Sequence, residues 1–235
     1  MKILALDTSS RAVSCALICD GTLTGELFAN TGLTHSQTAM PLVKQLLDQT
    51  GIDVSDIDLF AVSAGPGSFT GLRIGIAAVK GMAMAAGKSC AAVSTLLGLA
   101  FNAQFFSGYI APVMDARRSQ VYTALFRSGG SGITRQTPDE AIPLTNLREQ
   151  LQALAPSPVI LTGDGALMAA AELSGLPHVS TAPERFLHQR AGSVAAAAAE
   201  MAAHGELISP DELAPVYLRL PQAERELLEK LTVDN

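Results

Sequence analysis

A glycine-rich stretch, Ser63-Ala64-Gly65-Pro66-Gly67-Ser68-Phe69-Thr70-Gly71-Leu72-Arg73-Ile74-Gly75, carries the strongest chemical suggestion in the sequence. An apolar run, 59–62, leads into it and a small-residue run, 74–86, leads out, so it reads as strand, glycine turn and helix. Glycines let a backbone turn tightly or approach another group closely. Ser68 or Thr70 can cap the helix start, and free N–H groups at such a start attract anions. Two uses follow: a phosphate cradle, or a helix start packed against another backbone. A Walker loop needs Lys-Ser or Lys-Thr after its last glycine, whereas Gly71 is followed by Leu72-Arg73. A dinucleotide fingerprint needs glycine where Thr70 stands. The standard phosphate machines are therefore not matched.

Other chemistries find fewer residues. No Gly-x-Ser-x-Gly elbow marks a serine nucleophile. The histidines are His35, His178, His188 and His204, with no close metal spacing. A single long helix is expected over 183–204. It would hold His188 and His204 about 24 Å apart at ~1.5 Å per residue, too far to share an ion. His35, beside Ser36 ahead of a helix, suits a capping or partner-contact role. Cys15, Cys19 and Cys90 are odd in number and unpaired by spacing, which opposes a disulfide framework and favours core filling.

With 235 residues and 48% hydrophobic content, the chain can form one large or two small globular domains. Net charge is −6, and Arg117-Arg118 is the only adjacent basic pair. A protein gripping RNA by itself usually shows a basic footprint, so any RNA contact is expected only through a complex. Asp7 interrupts the N-terminal apolar run too early for a secretory segment, and no apolar run reaches spanning length uninterrupted. A cytoplasmic protein without membrane contact is expected.

These sites need elements to hold them. Strands are expected at 2–7, 12–19 and 22–28, with Asp20-Gly21 as a hairpin turn between the last two. A helix follows at 37–49, then a strand at 57–63, a helix at 70–86, a strand at 89–93 and a helix at 94–104. This β-β-β-α-β-α-β-α order implies a mixed sheet with helices on its faces. A second unit opens with strands at 109–114 and 120–126, an exposed loop at 127–138, and a helix at 144–154. A strand at 159–162, a helix at 166–173 and the long 183–204 helix complete it. An extended docked segment at 215–219 and a last helix at 223–231 follow. Both halves begin with an apolar strand ending in Asp, at Asp7 and Asp115, a hint of internal duplication.

Met1-Lys2-Ile3-Leu4-Ala5-Leu6-Asp7-Thr8-Ser9, Thr34-His35-Ser36, the stretch from Gly65 to Gly75 and Asp115-Ala116-Arg117-Arg118 together resemble the TsaB (YeaZ) family of tRNA threonylcarbamoyladenosine biosynthesis. The resemblance is closest over residues 1 to about 126 and continues to the Tyr217-Leu218-Arg219 tail. It implies an α/β, actin-like ATPase (ASKHA) fold with two tandem lobes, an N-terminal lobe at 1–106 and a C-terminal lobe at 107–235. It also implies a non-catalytic scaffold or activator that pairs with TsaD through its N-terminal lobe, and through TsaD with TsaE. TsaC supplies the threonylcarbamoyl adenylate and is a further candidate partner, and a homodimer is expected when the chain is alone.

The related TsaD places two metal-binding histidines where Thr95 and Leu99 stand here, and an apolar Leu cannot bind a metal. Asp7, Thr8, Asp115, Gly163 and Gly165 occupy the places of the nucleotide site in actin-like kinases. Asp164 between the two glycines opposes phosphate binding there. A carboxylate about 4 Å from a phosphate costs on the order of 4 kcal/mol at an effective dielectric near 20. No cofactor is therefore expected, and those five residues are vestigial candidates. The docking face is expected on the helices at 37–49 and 70–86, through His35, Met40, Val43, Leu47, Phe69, Arg73, Ile74, Ala77, Ala78, Gly81 and Met82. The alternatives are an ATP-binding actin-like kinase or ATPase and a metallopeptidase.

Overall fold

The computed structural model describes residues 1–129 and 132–219. The helix expected at 223–231 lies outside the described residues. The chain opens with β1 (Lys2–Asp7), β2 (Val13–Cys19) and β3 (Thr22–Ala29). Then come α1 (His35–Thr50), β4 (Leu59–Gly65), α2 (Phe69–Ala86), β5 (Ser89–Ser94) and α3 (Thr95–Asn102). The strands form a mixed sheet in the order β3-β2-β1-β4-β5, antiparallel on the hairpin side and parallel from β1 through β5. The Asp20-Gly21 turn joins β2 to β3 with positive φ at both residues, the geometry that matches the strand twist. Gly51 and Gly87 close α1 and α2 in the left-handed conformation.

Both faces of this sheet are covered. α1 and α2 bury Ala39, Val43, Leu46, Ile76, Val79 and Ala83 against one face. The opposite face, with Ile3, Ala5, Ala61 and Val93, is filled from much later in the chain by α6 (Ala191–Ala203). The alanine block serves this contact: Ala191, Ala195, Ala197 and Ala198 are wholly buried, and small side chains let the helix lie close on the strands. α2 has the length and apolarity of a membrane span by composition, but its buried residues pack on the sheet.

The second half starts with β6 (Gly108–Arg117), β7 (Gln120–Thr123), β8 (Phe126–Gly129), β9 (Gly132–Arg135) and β10 (Glu140–Pro143). α4 (Leu144–Gln152), β11 (Val159–Thr162), α5 (Ala166–Glu172) and β12 (Val179–Thr181) follow before α6. The spine β10-β7-β6-β11-β12 repeats the antiparallel and parallel pattern of β3-β2-β1-β4-β5. The duplication suggested by Asp7 and Asp115 is thus present in the strand order. α3 sits between the halves, with Leu96, Leu99 and Ala100 in the core of the second.

Three expectations change. The strand at 120–126 is two strands, because the long β6 pairs with β7 at its end and with β8 at its start. The loop at 127–138 holds the β8–β9 hairpin, whose inward Phe126 and Ser128 alternate with outward Arg127 and Gly129. The helix at 183–204 is α6 alone, preceded by a short 3-10 turn at Glu184–Phe186. The intervening carbonyls are taken by distant side chains. Phe186 O accepts from Thr162 Oγ1 at 2.6 Å, His188 O from Asn102 Nδ2 at 2.6 Å, and Gln189 O from Ser14 Oγ at 3.4 Å. A helix there would need those acceptors for itself. His188 and His204 therefore do not share a helix. The extended segment at 215–219 is docked as expected, with Val216 N–H donating to Ala64 O at 2.7 Å.

Candidate functional site

β1, β4, β6 and β11 end around one crevice of about 740 Å³ between the halves. Ligands in open α/β folds bind beyond such strand ends. The walls include Ser9, Ser10, Arg11, Asp115, Arg117 and Asp164. The turn leaving β6 puts Arg117, Arg118 and Ser119 at φ 62°, 55° and 56°, a strained run for residues with side chains.

Asp7 is buried at the end of β1, and its oxygens are committed. Oδ1 accepts from Ser9 N at 2.9 Å and Ser9 Oγ at 2.8 Å, and Oδ2 accepts from Ser63 Oγ. Burial pushes its carboxyl above the usual range, and those three bonds oppose the rise. Thr8 donates from Oγ1 to Gly71 O at 2.8 Å. Asp7 and Thr8 thus fasten β1 to β4 and α2.

The glycine stretch is explained by the same contacts. A Cβ at Gly67 would lie 2.3 Å from Ser9 O, one at Gly71 2.1 Å from Thr8 O, and one at Gly75 2.3 Å from Thr8 Oγ1. Ser68 caps α2 by accepting from Gly71 N at 3.3 Å, while its own N–H donates to Ser9 O at 2.6 Å. Of the two uses the sequence left open, the helix start here packs on backbone. The second glycine turn behaves alike. Gly163, at φ 102°, would place a Cβ 2.2 Å from Val113 O, and one at Gly165 would lie 3.0 Å from Asp115 N.

Asp115 is exposed and accepts from Arg117 N at 2.7 Å. Asp164 also touches solvent. Its carboxyl is pushed up to about 6, first by burial in the crevice and second by the Asp115 charge. Two acids thus line the same crevice.

The C-terminal segment lines this crevice with Val216, Tyr217, Leu218 and Arg219. Gly65, at φ 131°, exists for it: a Cβ there would lie 2.2 Å from Val216 O. The Tyr217 ring stacks on Phe69 with centroids 4.3 Å apart, and its hydroxyl accepts from Arg73 Nε at 3.0 Å. Arg219 donates to Ala116 O in the other half, and to Arg117 O at 3.3 Å. The sequence shows the segment as docked but not where. The signal was the aromatic Tyr217 inside Pro-Val-Tyr-Leu-Arg, matched by Phe69 in the glycine stretch.

Thr95 and Leu99, at the positions of the transferase histidines, are both buried. Among the described residues, no three His, Cys, Asp or Glu side chains converge to hold a metal. His178 Nε2 bonds to Leu151 O at 2.9 Å, and His188 packs near Phe28.

The expected docking residues divide by exposure. On α2, Arg73, Ala77 and Gly81 face outward in one i, i+4 series, with Ile74, Ala78 and Met82 half-buried beside them and Phe69 at its head. A Cβ at Gly81 meets nothing within 4 Å, so internal packing does not require glycine there. Met40 is exposed and Leu47 half-buried, and both line a groove of about 490 Å³ with Met82 and Ile52. Val43 is 1% exposed and belongs to the core stripe of α1 with Ala39 and Leu46, so it forms the floor of that groove rather than its open surface. His35 is half-buried and turned inward, its Nε2–H donating to Ser10 O at 2.7 Å.

A family model described as TsaD, tRNA N6-adenosine threonylcarbamoyltransferase, matches residues 30–161. The chain is 34% identical to the Bacillus subtilis tRNA threonylcarbamoyladenosine biosynthesis protein TsaB, covering 97% of this chain and 99% of that one. It is 34% identical to Escherichia coli TsaB over 93% of this chain and 95% of the relative. The solved structure of YeaZ from Pseudomonas aeruginosa is similar over 92% of this chain and 99% of its own, with 28% identity and a TM-score of 0.78. With two lobes of the actin-like type and this full-length similarity, the chain belongs to the TsaB (YeaZ) family of tRNA threonylcarbamoyladenosine biosynthesis proteins.

Proposed function

We propose that the chain is a non-catalytic, cytoplasmic scaffold and activator in formation of N6-threonylcarbamoyladenosine in tRNA. It binds the transferase TsaD through α1 and α2, and TsaE, with TsaC a further candidate, joins through that pair. tRNA is met only in the complex. The observation that carries this reading is the use of the glycine stretch. Its glycines are spent on close backbone contact at the crevice, while the helix they start turns a small-residue face outward. Small outward residues let a second helix approach closely, and Met40 and Met82 supply adaptable apolar surface.

The match of a TsaD model to this chain supports the choice of partner. A partner with the same fold carries an equivalent face, and like faces pair about a two-fold or near two-fold axis. The same logic makes a homodimer the resting form of the isolated chain.

The kinase or ATPase alternative needs a phosphate site where Asp115 and Asp164 stand and where the C-terminal segment is seated. The metallopeptidase alternative needs ligands where Thr95 and Leu99 are buried. Neither gains support from the residues present.

Gly81→Arg, and separately Ala78→Arg, should abolish co-elution with TsaD on size exclusion while each variant alone still unfolds in a cooperative thermal transition. Co-elution retained by both variants would remove α2 as the docking face. A reconstituted modification assay with and without the chain, alongside ATP hydrolysis by the chain alone, separates an activator from an ATPase.

A further inference from the structure

Phe69 and Arg73 each belong to two constellations. They head the outward series Phe69, Arg73, Ala77, Gly81 along α2. They also hold the C-terminal segment, since the Arg73 guanidinium lies 4.0 Å from the centre of the Phe69 ring and donates to Tyr217. Tyr217, stacked on Phe69, continues the series beyond the helix start. Val216 stands beside it, 50% exposed. A body lying along the outward stripe of α2 meets this segment at its upper end.

The other end of the segment is in the crevice, where Arg219 holds two carbonyls of the second half. The segment is also led there under restraint. Cys90 and Ile208 exchange backbone hydrogen bonds at 2.8 and 3.0 Å, Lys80 donates to Asp211 O at 3.0 Å, and Leu213 is buried. Residues 215–219 therefore form a strap tied to both halves.

We propose that this strap is the upper end of the docking face, so that docking of the partner and seating of the strap over the crevice stabilise each other. The proposal rests on the docking reading given above, and its occupant is the transferase subunit. The strap and its support offer an aromatic ring and a guanidinium, the kinds of group enriched at interface centres, with the exposed Val216 beside them. Linkage makes the effect reciprocal: a partner that binds better with the strap seated suppresses strap opening by the same factor. The crevice then reports partner binding without holding a ligand.

Hydrogen exchange of peptides covering 214–219 tests this in the full chain, alone and saturated with the transferase. Val216 N–H, bonded to Ala64 O, is the reporting amide. Its exchange should slow about tenfold or more in the complex. Partner affinity should fall about tenfold for Tyr217→Ala and less for Tyr217→Phe, which keeps the stacked ring. Arg219→Ala, placed in the crevice and off the docking face, should also weaken binding several-fold by loosening the strap. Unchanged exchange in the complex overturns the proposal, and so does wild-type affinity in both Tyr217→Ala and Arg219→Ala. Wild-type affinity in both Gly81→Arg and Ala78→Arg would instead overturn the docking reading, whatever the strap does.

Discussion

Asp164 shows how one residue can oppose the function its surroundings suggest. Its carboxyl is pushed up to about 6 by burial and by Asp115. A raised carboxyl favours the folded state when protonated. That contribution is complete below the unfolded value near 4 and is lost as pH rises through about 6. Asp164→Asn removes the dependence. The variant should melt higher than the wild type at pH 7.5 and gain less at pH 5, as differential scanning calorimetry would show. Solvent contact at the crevice holds the gain to on the order of 1 kcal/mol. Equal gains at both pH values would mean that the acid is not desolvated. At this scale the sequence was readable for residue type, such as the apolar Leu99 and the acidic Asp164 within a glycine turn. It was not readable where a residue faces inward. Val43 and Leu47 both fit an apolar stripe of α1, and only packing shows that the first is core and the second is partly open.

The α2 element separates glycines that fold the protein from a glycine that is free for something else. Gly71→Ala puts a Cβ 2.1 Å from the Thr8 carbonyl oxygen, a backbone atom that cannot rotate away. Its cost should reach about 3 kcal/mol, the upper range for overpacking. Gly81→Ala meets nothing within 4 Å and should stabilise the isolated chain by about 1 kcal/mol through helix propensity. Urea denaturation of the two variants checks both signs, and a destabilised Gly81→Ala would mean that the face is packed internally. The glycine stretch was legible as a strand–turn–helix unit. Its purpose was half legible, because the backbone that crowds Gly67 and Gly71 belongs to Ser9 and Thr8 just after β1, and the one that crowds Gly65 is Val216, all far away in sequence. The β8–β9 hairpin was missed for a related reason. Its two-residue alternation is carried by Phe126 and Ser128 in a segment whose Gly, Ser and Thr content reads as loop.

On the scale of the molecule, the chain order and the packing order differ. The strand spine repeats between the halves, and reading them as two consecutive lobes follows from sequence order alone. α6 crosses back, however. Ala191, Val194, Ala195 and Ala198 bury the face of the first sheet that carries Ile3, Ala5, Ala61 and Val93. The crossing is stitched by polar contacts: Ala191 N–H donates to Ser14 Oγ at 2.9 Å, and Gly192 N–H to Glu26 Oε1 at 3.0 Å. A fragment of residues 1–106 would expose that sheet face and leave Ser14 and Glu26 without these partners. Loss of burial at about 25 cal/mol per Å² of apolar surface, over a whole sheet face, exceeds the usual margin of stability. The fragment should therefore show no cooperative thermal transition, whereas the full chain should unfold in a single one. Co-expressing the remainder of the chain, residues 107–235, should restore the transition, because it returns α6 to its sheet. A fragment that melts cooperatively by itself would show that the first half closes its own core, and α6 would then be a tether between lobes.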